Sequence, residues 1–289
     1  MSAIEQEVAS QPAVWVEAGR LAGDDGLPPH GARVVVLGCG TSLYMAQAYA
    51  ASREAAGLGE TDAFPASEMP AGRTYDMVVA LSRSGTTTEV LDALAALRDM
   101  PTLAVTAVAD SPLVEAAAAS IVLAFADERS VVQTRFATAA LVLLRAHLGI
   151  DPAPAVAAAR EVLDRPLEID VGRYERFHFL GRGWTVGLAS EAALKLREAA
   201  RAWTEAYPAM EYRHGPIALA DPRTLVVPIG ELDAGLAADV AATGATLLPP
   251  EREPLASLVL VHRLAVELAG RRGFDPDNPR NLTRSVVLT

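Results

Sequence analysis

Short runs of apolar residues alternate with longer alanine-rich segments along most of this chain, and this rhythm is the strongest constraint on its fold. The runs are continuous, which is typical of parallel strands that are covered on both faces of a sheet. A repeated strand-then-helix order predicts an α/β fold with a doubly wound parallel sheet. Strands are predicted at residues 33–37, 77–81, 103–106, 121–124, 177–180, 225–228 and 246–248, and helices up to about Ala56 and at residues 89–98, 131–148, 186–202 and 255–269.

The first strand of each half leads into the same kind of turn. Leu37-Gly38-Cys39-Gly40-Thr41-Ser42 and Leu180-Gly181-Arg182-Gly183-Trp184-Thr185 both read as strand, Gly-x-Gly, hydroxyl residue and helix, 143 residues apart. This spacing is the size of an ordinary domain and predicts a duplicated α/β domain. A dinucleotide-binding turn needs a third glycine, but Leu43 and Val186 stand at that position, so NAD binding is not predicted.

Composition narrows the class of protein further. A hydrophobic content of 51% with 21% charged residues fits a packed globule, and a net charge of −11 argues against a nucleic-acid partner. One cysteine, Cys39, excludes a disulfide framework and a multi-cysteine metal site. Because no apolar stretch is long enough for a signal peptide or a membrane helix, we expect a soluble, cytoplasmic protein with no membrane partner. No motif implies a metal.

A hydroxyl-rich loop is the first candidate for chemistry. Residues 82–88 (Ser-Arg-Ser-Gly-Thr-Thr-Thr) follow a predicted buried strand and precede a helix, where free N–H groups and the helix dipole favour an anion. Five hydroxyls and one arginine in seven residues suit a phosphate monoester, whereas the lysine and spacing of a triphosphate-binding loop are missing. The alternative is ordinary capping of the helix, which needs a single hydroxyl.

The second candidate contains the only lysine of the chain. Of 25 basic residues, 24 are arginine, and Lys195 lies on a predicted helix with Glu191 and Glu198 at spacings that bring all three onto one face. A lysine is a compact charge that fits beside an oxygen, and a neighbouring carboxylate could act as a general base. The alternative is a solvated Glu–Lys pair on the helix surface.

One histidine stands apart from the other four. His214 follows an arginine and precedes a Gly-Pro turn, and loop histidines are often functional, although the residues alone leave a structural role equally open. His30, His147, His178 and His262 are expected to lie in a loop, helices or a strand without polar company and are interpreted as structural.

Taken together, these segments resemble the sugar isomerase (SIS) domain family, in particular the isomerase half of glucosamine-6-phosphate synthase and its stand-alone relatives. The matching segments occur in the family's order over nearly the whole chain and are residues 38–42, 81–87, 180–183, 191–198, 205–207, 214–216 and 278–286.

The resemblance implies two tandem SIS domains, each with a flavodoxin-like parallel five-stranded sheet flanked by helices. It places an N-terminal helical segment at 1–24, the first SIS domain at 25–150, a linker with a helix at 151–166, the second SIS domain at 167–277 and an active-site tail at 278–289. It also implies a homodimer, a sugar phosphate as ligand and no cofactor.

The same resemblance assigns residues to the ligand. Ser82, Ser84 and Thr87 would hold the sugar phosphate, with Arg83 at a position where the family usually has Gln. Residues beside the phosphate or the sugar would be Thr41, Ser42, Val131, Gln133 and, in the tail, Arg284.

Catalytic roles follow from the resemblance in the second half of the chain. Glu198 matches the family's base, which moves a proton between C1 and C2 through an enediol or enolamine, and Lys195 matches the lysine that stabilises the charge on oxygen. His214 matches the histidine that opens the sugar ring from the neighbouring subunit, and Glu191 matches a supporting carboxylate.

Three departures from the family limit what the resemblance implies. The glutaminase half of the synthase is absent from this sequence, and Ser2 rather than a cysteine follows Met1, so no glutamine-dependent amidotransfer is expected. Thr86 replaces the usual Glu of the phosphate loop. Arg284 replaces the lysine of the tail, and because arginine stays protonated it cannot form an imine with the sugar.

The expected function is therefore aldose–ketose isomerisation of a hexose 6-phosphate derivative, or deamination or deglycation of an amino-sugar phosphate. The alternative is a phosphosugar sensor whose SIS domains bind but do not react. No motif indicates which substituent the sugar carries, so the sequence does not select among the possible sugar phosphates.

Overall fold

The computed structural model describes residues 1–288. The α-helices are α1 (Ala3–Gly19), α2 (Thr41–Ala55), α3 (Thr88–Ala96), α4 (Pro112–Ala116), α5 (Arg135–His147), α6 (Ala153–Asp164), α7 (Thr185–Ala200), α8 (Ala234–Ala242) and α9 (Pro254–Arg271). The strands are β1 (Val34–Gly38), β2 (Thr61–Pro65), β3 (Met77–Leu81), β4 (Thr102–Thr106), β5 (Ala119–Val122), β6 (Arg176–Gly181), β7 (Trp203–Pro208), β8 (Thr224–Ile229) and β9 (Thr246–Leu247).

The first sheet has five parallel strands in the order β2-β1-β3-β4-β5. Val34 on β1 pairs with Thr61 on one side and with Met77 on the other. Every residue of β1, β3 and β4 is buried, which is why these strands read as continuous apolar runs in the sequence. The predicted α/β class and parallel sheet are confirmed here.

The second sheet has four parallel strands among the described residues, in the order β7-β6-β8-β9. The expectation of five strands in each sheet is therefore wrong for the second copy. Strand β9 has two residues, and the chain beyond it enters Pro249-Pro250 before α9 begins. Proline has no N–H to donate to a ladder, so this stretch does not extend the sheet.

The two sheets share one topology, because β2-β1-β3-β4 and β7-β6-β8-β9 have the same order. The predicted strands did not include β2 or β7, yet these two segments are related in sequence. Thr-Asp-Ala-Phe-Pro-Ala begins at Thr61 and Thr-Glu-Ala-Tyr-Pro-Ala begins at Thr204, again 143 residues apart. The shared order and the related segments confirm a duplicated fold.

Contacts divide the chain into two compact units. The five-stranded unit comprises residues 13–129, 133–152 and the chain from Thr283 onward. The four-stranded unit comprises residues 1–12, 130–132 and 153–282. The domain limits drawn from the sequence remain a prediction.

The long helix after the first sheet begins later than its sequence pattern indicates. Helix α5 starts at Arg135 rather than at Val131. The buried Glu128 carboxylate accepts hydrogen bonds from the N–H groups of Thr134, at 2.6 Å, and Arg135, at 2.8 Å. These N–H groups would otherwise lack a helical partner, so Glu128 fixes the start of the helix.

Within residues 1–288, no helix is both long enough and apolar enough to cross a membrane.

Candidate active site

The hydroxyl loop (residues 82–88) lies in the five-stranded unit, between the end of β3 and the start of α3. Ser82, Arg83 and Ser84 are buried and Thr87 is half-buried. The Ser82 and Thr87 hydroxyls are 3.2 Å apart, and the Ser84 hydroxyl accepts from the N–H of Thr86 at 3.2 Å. The loop therefore brings together the hydroxyls that the sequence assigned to a phosphate.

Helix capping does not account for these hydroxyls. Thr87 is the N-cap residue of α3, and its side chain makes no capping hydrogen bond. Among the described contacts, the N–H groups of Ser84 and Thr87 have no partner. Free N–H groups at a helix N-terminus are the donors that an anion uses.

Gly85 gives the loop its shape. Its φ of +67° lies in the left-handed region, and a Cβ added there would lie 2.2 Å from the Ser111 hydroxyl oxygen. Only glycine adopts this backbone conformation without strain and leaves this space. The sharp curl of the loop depends on this residue.

Thr41 and Ser42 are the first two residues of α2, and both are buried. Because β1 and β3 are neighbouring parallel strands, the loops that follow them lie at the same edge of the sheet. The structure thus places these two hydroxyl residues at the edge that carries the hydroxyl loop.

Arg83 is 2% exposed, so its guanidinium is enclosed rather than open to solvent. It donates to the backbone carbonyl of Arg284 at 2.8 Å and lies 3.9 Å from the Glu128 carboxylate. Arg284 in turn contacts the Asp127 carboxylate and the Glu128 carbonyl. Both arginines of the predicted site therefore make protein contacts beside the hydroxyl loop.

Val131 and Gln133 precede α5 rather than starting it. The Val131 N–H donates to the Asp277 carbonyl at 3.3 Å within the four-stranded unit. The Gln133 side-chain oxygen, in the five-stranded unit, is buried and makes no hydrogen bond to the described residues.

The charged face of α7, formed by Glu191, Lys195 and Glu198, lies in the four-stranded unit. Lys195 is 1% exposed, and its Nζ donates to Glu198 and lies 3.4 Å from Glu191 Oε1. The Glu198 side chain is 19% exposed, whereas that of Glu191 is 1% exposed. A buried lysine with two carboxylates is not the solvated surface pair considered as the alternative. Glu198 is the one of the three that solvent reaches.

His262, on α9, contributes to the surroundings of Lys195. Its Nδ1 lies 3.0 Å from the amide nitrogen of Gln11, which can only donate. Burial, reinforced by the positive charge of Lys195, lowers the pKa of His262 to about 3. The imidazole therefore stays neutral near the lysine.

His178 also has polar neighbours that the sequence did not reveal. Its Nδ1 lies 2.7 Å from the Tyr212 hydroxyl, and its Nε2 lies 3.6 Å from Glu205. The Tyr207 hydroxyl donates to Glu205 at 2.8 Å, and burial, with Glu205 adding to it, raises the pKa of Tyr207 to about 12. The interpretation of His178 and His262 as lacking polar neighbours is wrong; the signal for this cluster was the segment 205–207.

His214 is exposed at the end of a 3-10 helix, Ala209–His214. It makes no hydrogen bond to the described residues, whereas its neighbours are fixed: Tyr212 is held by His178, and Arg213 donates to Asp239 at 2.7 Å. The fold thus holds the segment and leaves the imidazole free.

No group of three or more His, Cys, Asp or Glu side chains among residues 1–288 is arranged to hold a metal ion.

Known proteins of similar sequence and structure act on sugar phosphates. The chain is 28% identical over 295 residues to the glutamine–fructose-6-phosphate aminotransferase (isomerizing) of Sulfurisphaera tokodaii, a match that covers 89% of this chain and 50% of that protein. The chain thus spans about half the length of this curated relative. No protein-family model matches it.

Two solved structures match the whole chain. Glucosamine-6-phosphate deaminase from Thermotoga maritima is 26% identical with a TM-score of 0.82, and the match covers 99% of this chain and 100% of that one. Tagatose-6-phosphate ketose/aldose isomerase from Escherichia coli has the same fold, with a TM-score of 0.78 at 19% identity, covering 98% of this chain and 97% of that one.

The duplicated parallel sheets and these matches define a protein with two tandem SIS domains. Over nearly its whole length the chain is homologous to SIS-domain phosphosugar isomerases and deaminases.

Proposed function

We propose that this chain is an enzyme that moves a proton between C1 and C2 of a hexose 6-phosphate derivative. The observation that carries the proposal is the buried Lys195 held by Glu191 and Glu198, with Glu198 alone reached by solvent. A protein that only bound a phosphosugar would not need a lysine and a glutamate buried beside a solvent-accessible carboxylate, because burying charge is costly.

The steps follow from the residues. The hydroxyl loop holds the phosphate through Ser82, Ser84 and Thr87, which positions the sugar. His214 assists ring opening by transferring a proton between the ring oxygen and the anomeric hydroxyl. The Glu198 carboxylate removes the proton from C2 and returns it to C1, while the Lys195 ammonium stabilises the negative charge on the oxygen of the enediol.

Release of ammonia is a second candidate reaction, favoured by the full-length match to a glucosamine-6-phosphate deaminase. With an amine at C2, the same proton transfer gives an imine at C2, and water hydrolyses it to a ketone and ammonia. Because Arg284 cannot form an imine with the sugar, neither reaction uses a covalent link to the tail.

The test is a panel of hexose and amino-sugar 6-phosphates, scored for isomer formation, ammonia release and uptake of solvent deuterium at C1 or C2. Deuterium uptake reports proton transfer even when little product accumulates. Ammonia selects the deaminase reaction, and isomer without ammonia selects the isomerase. A sugar phosphate that binds without exchange or turnover would instead support the sensor.

Glu198→Gln should lower kcat by roughly 10³-fold or more and leave phosphosugar binding largely intact, because it removes the base and keeps the shape. Glu161→Gln, at an exposed position on α6, is the matched control and should not alter kcat. Unchanged turnover in Glu198→Gln would contradict the assignment of Glu198 as the base.

We further propose a homodimer in which each subunit supplies His214 to its neighbour, which agrees with the exposed, unbonded imidazole. Mixing Glu198→Gln chains with His214→Ala chains tests this. Half of the dimers in such a mixture are mixed, and each has one intact site, so roughly a quarter of wild-type activity should return. No recovery from mixing would show that His214 acts within its own chain.

A further inference from the structure

Residues 283–288 lie on the hydroxyl loop. The Thr88 N–H donates to the Val286 carbonyl at 3.2 Å, and the Leu288 N–H donates to the Thr88 hydroxyl at 2.9 Å. These bonds join residues about two hundred positions apart, all within the five-stranded unit. The tail (residues 283–288) is therefore part of the structure that surrounds the candidate phosphate site.

Ser285 brings another hydroxyl into this cluster. Its oxygen lies 3.1 Å from the Ser84 hydroxyl and 2.9 Å from the Thr86 hydroxyl. The Thr86 and Ser84 hydroxyls are themselves 3.1 Å apart, so the three oxygens form a triangle. Ser285 is half-buried. Because the hydrogen of a hydroxyl group can rotate, the Ser285 hydroxyl can donate to whichever acceptor lies beside it.

Two arginines, Arg83 and Arg284, fix the backbone next to Ser285. The Arg83 guanidinium donates to the carbonyl of Arg284, and the Arg284 guanidinium contacts the Asp127 carboxylate and the Glu128 carbonyl. Glu128 is itself fixed by the start of α5, where it accepts from Thr134 and Arg135. The residue immediately before Ser285 is thus bound through both its backbone and its side chain.

We propose that Ser285 is a phosphate-contacting residue and that Arg284 is its positioning residue. The proposal rests on the proposed function of the hydroxyl loop and extends it to the tail. In this arrangement Arg284 takes no part in the reaction. Its guanidinium fixes the position of the Ser285 hydroxyl. The ligand class is a phosphate monoester, whose oxygens accept from several hydroxyls at once.

The probe is inorganic phosphate, together with whichever sugar phosphate the panel identifies, titrated by calorimetry into the full chain. Ser285→Ala should weaken phosphate binding roughly tenfold, because a hydrogen bond to a charged group is lost. For turnover, KM should rise by the same factor while kcat changes little. Ser67→Ala, an exposed serine in the same unit, is the matched control.

Arg284 is tested by its own pair of variants. Arg284→Ala should raise KM as Ser285→Ala does, and the double variant should be no worse than either single change, because both act through one hydroxyl. Arg284→Lys keeps the charge that faces Asp127 and should restore part of the affinity. Arg98→Ala, an exposed arginine on the loop after α3, is the control. A merely structural role for Arg284 would lower stability without this shift in KM.

Ser84→Ala separates failure of this inference from failure of the proposed function. If Ser84→Ala weakens phosphate binding and Ser285→Ala does not, the tail is not part of the site and the loop assignment stands. If neither weakens it, the loop assignment fails as well. Tighter binding in Ser285→Ala would show that the tail competes with phosphate, which also overturns the inference.

Discussion

The loop after β3 and the loop after β8 occupy the same place in two copies of one fold, yet they carry different side chains. The strand register makes Met77 equivalent to Leu225, so the hydroxyl loop corresponds to Gly230-Glu231-Leu232-Asp233. The first loop presents hydroxyls and free N–H groups. In the second, the Asp233 carboxylate caps α8 by accepting from Leu236 at 3.1 Å.

The helices that follow the first strand of each copy, α2 and α7, also differ, but here it is the second copy that carries the polar groups. The charged face of α7 has no counterpart in α2, where the equivalent positions are Ala48, Ser52 and Ala55. One copy thus carries the features of an anion site and the other carries the features of proton transfer. The two copies share a strand order, and their side chains at equivalent positions differ as the proposed division between phosphate binding and proton transfer requires.

Among the variants that compare the two copies, Lys195→Arg should have the largest effect, and it tests the copy that carries the charged face. Arginine is larger and its charge is spread over a wide fork, so at a 1% exposed position it cannot take the place of the ammonium. We expect kcat to fall roughly 100-fold or more, measured in the assay that the sugar panel provides.

The matched exchange in the other copy is Arg53→Lys. Arg53 is buried on α2, where it donates to the Thr61 hydroxyl and the Pro29 carbonyl at 2.7 Å each. This variant should lose stability and keep kcat. Full turnover in Lys195→Arg would mean that the single lysine of the chain is an accident of composition.

The four-stranded unit should lose stability in acid because of His262. Its pKa is about 3 in the folded chain and about 6.5 when unfolded, so the unfolded state binds the extra proton in that window. Stability that is present above pH 6.5 is therefore lost as the pH falls towards 3.

His262→Gln should weaken the dependence of the unfolding free energy on pH, since glutamine carries no titrating group. Its side-chain oxygen can still accept a hydrogen bond from Gln11. The readout is the difference in unfolding free energy between wild type and variant from urea titrations at pH 7, 5 and 4. His30→Gln, at an exposed histidine, is the control. Equal slopes for wild type and His262→Gln would contradict the assignment.

Gly85→Ala should cost about 2 kcal/mol of unfolding free energy, because an alanine there is strained and meets Ser111. Gly183, in the turn after β6 of the other copy, also has a positive φ, of +56°, but a Cβ there has open space. Gly183→Ala should therefore cost about 1 kcal/mol, the conformational part alone. Urea unfolding measures both, and equal losses would contradict the packing argument.

Asp233→Ala should have the smallest effect. It removes the side-chain cap of α8 and one partner of Arg213, so a slight loss of stability is expected with phosphate affinity unchanged. Calorimetry with inorganic phosphate is the measurement. A loss of phosphate affinity would show that the loop of the second copy also serves the ligand.

The sequence predicted the buried strands well but missed two edge strands, β2 and β7. Strands β1, β3 and β4 are apolar throughout because both faces of the sheet are covered. Edge strands β2 and β7 are mostly half-buried, so polar residues interrupt them and no apolar run marks them. Their mutual similarity, Thr-x-Ala-aromatic-Pro-Ala, was the signal that could have revealed them.

The candidate site was predictable where its residues are neighbours in sequence. The hydroxyl loop and the charged face each lie within eight residues, so spacing alone brings their side chains together. Glu128 and Ser285 were missed as contributors because their contacts with the loop join distant segments, and no local pattern records such contacts.

The distance in sequence between Ser84 and Ser285 has a consequence for biosynthesis. The ribosome reaches Ser285 201 residues after it has made Ser84. At ordinary elongation rates this interval is roughly 10 to 40 seconds. During that time the nascent chain has its hydroxyl loop without Ser285, so under the proposed role of Ser285 it would hold phosphate more weakly than after that residue has been added.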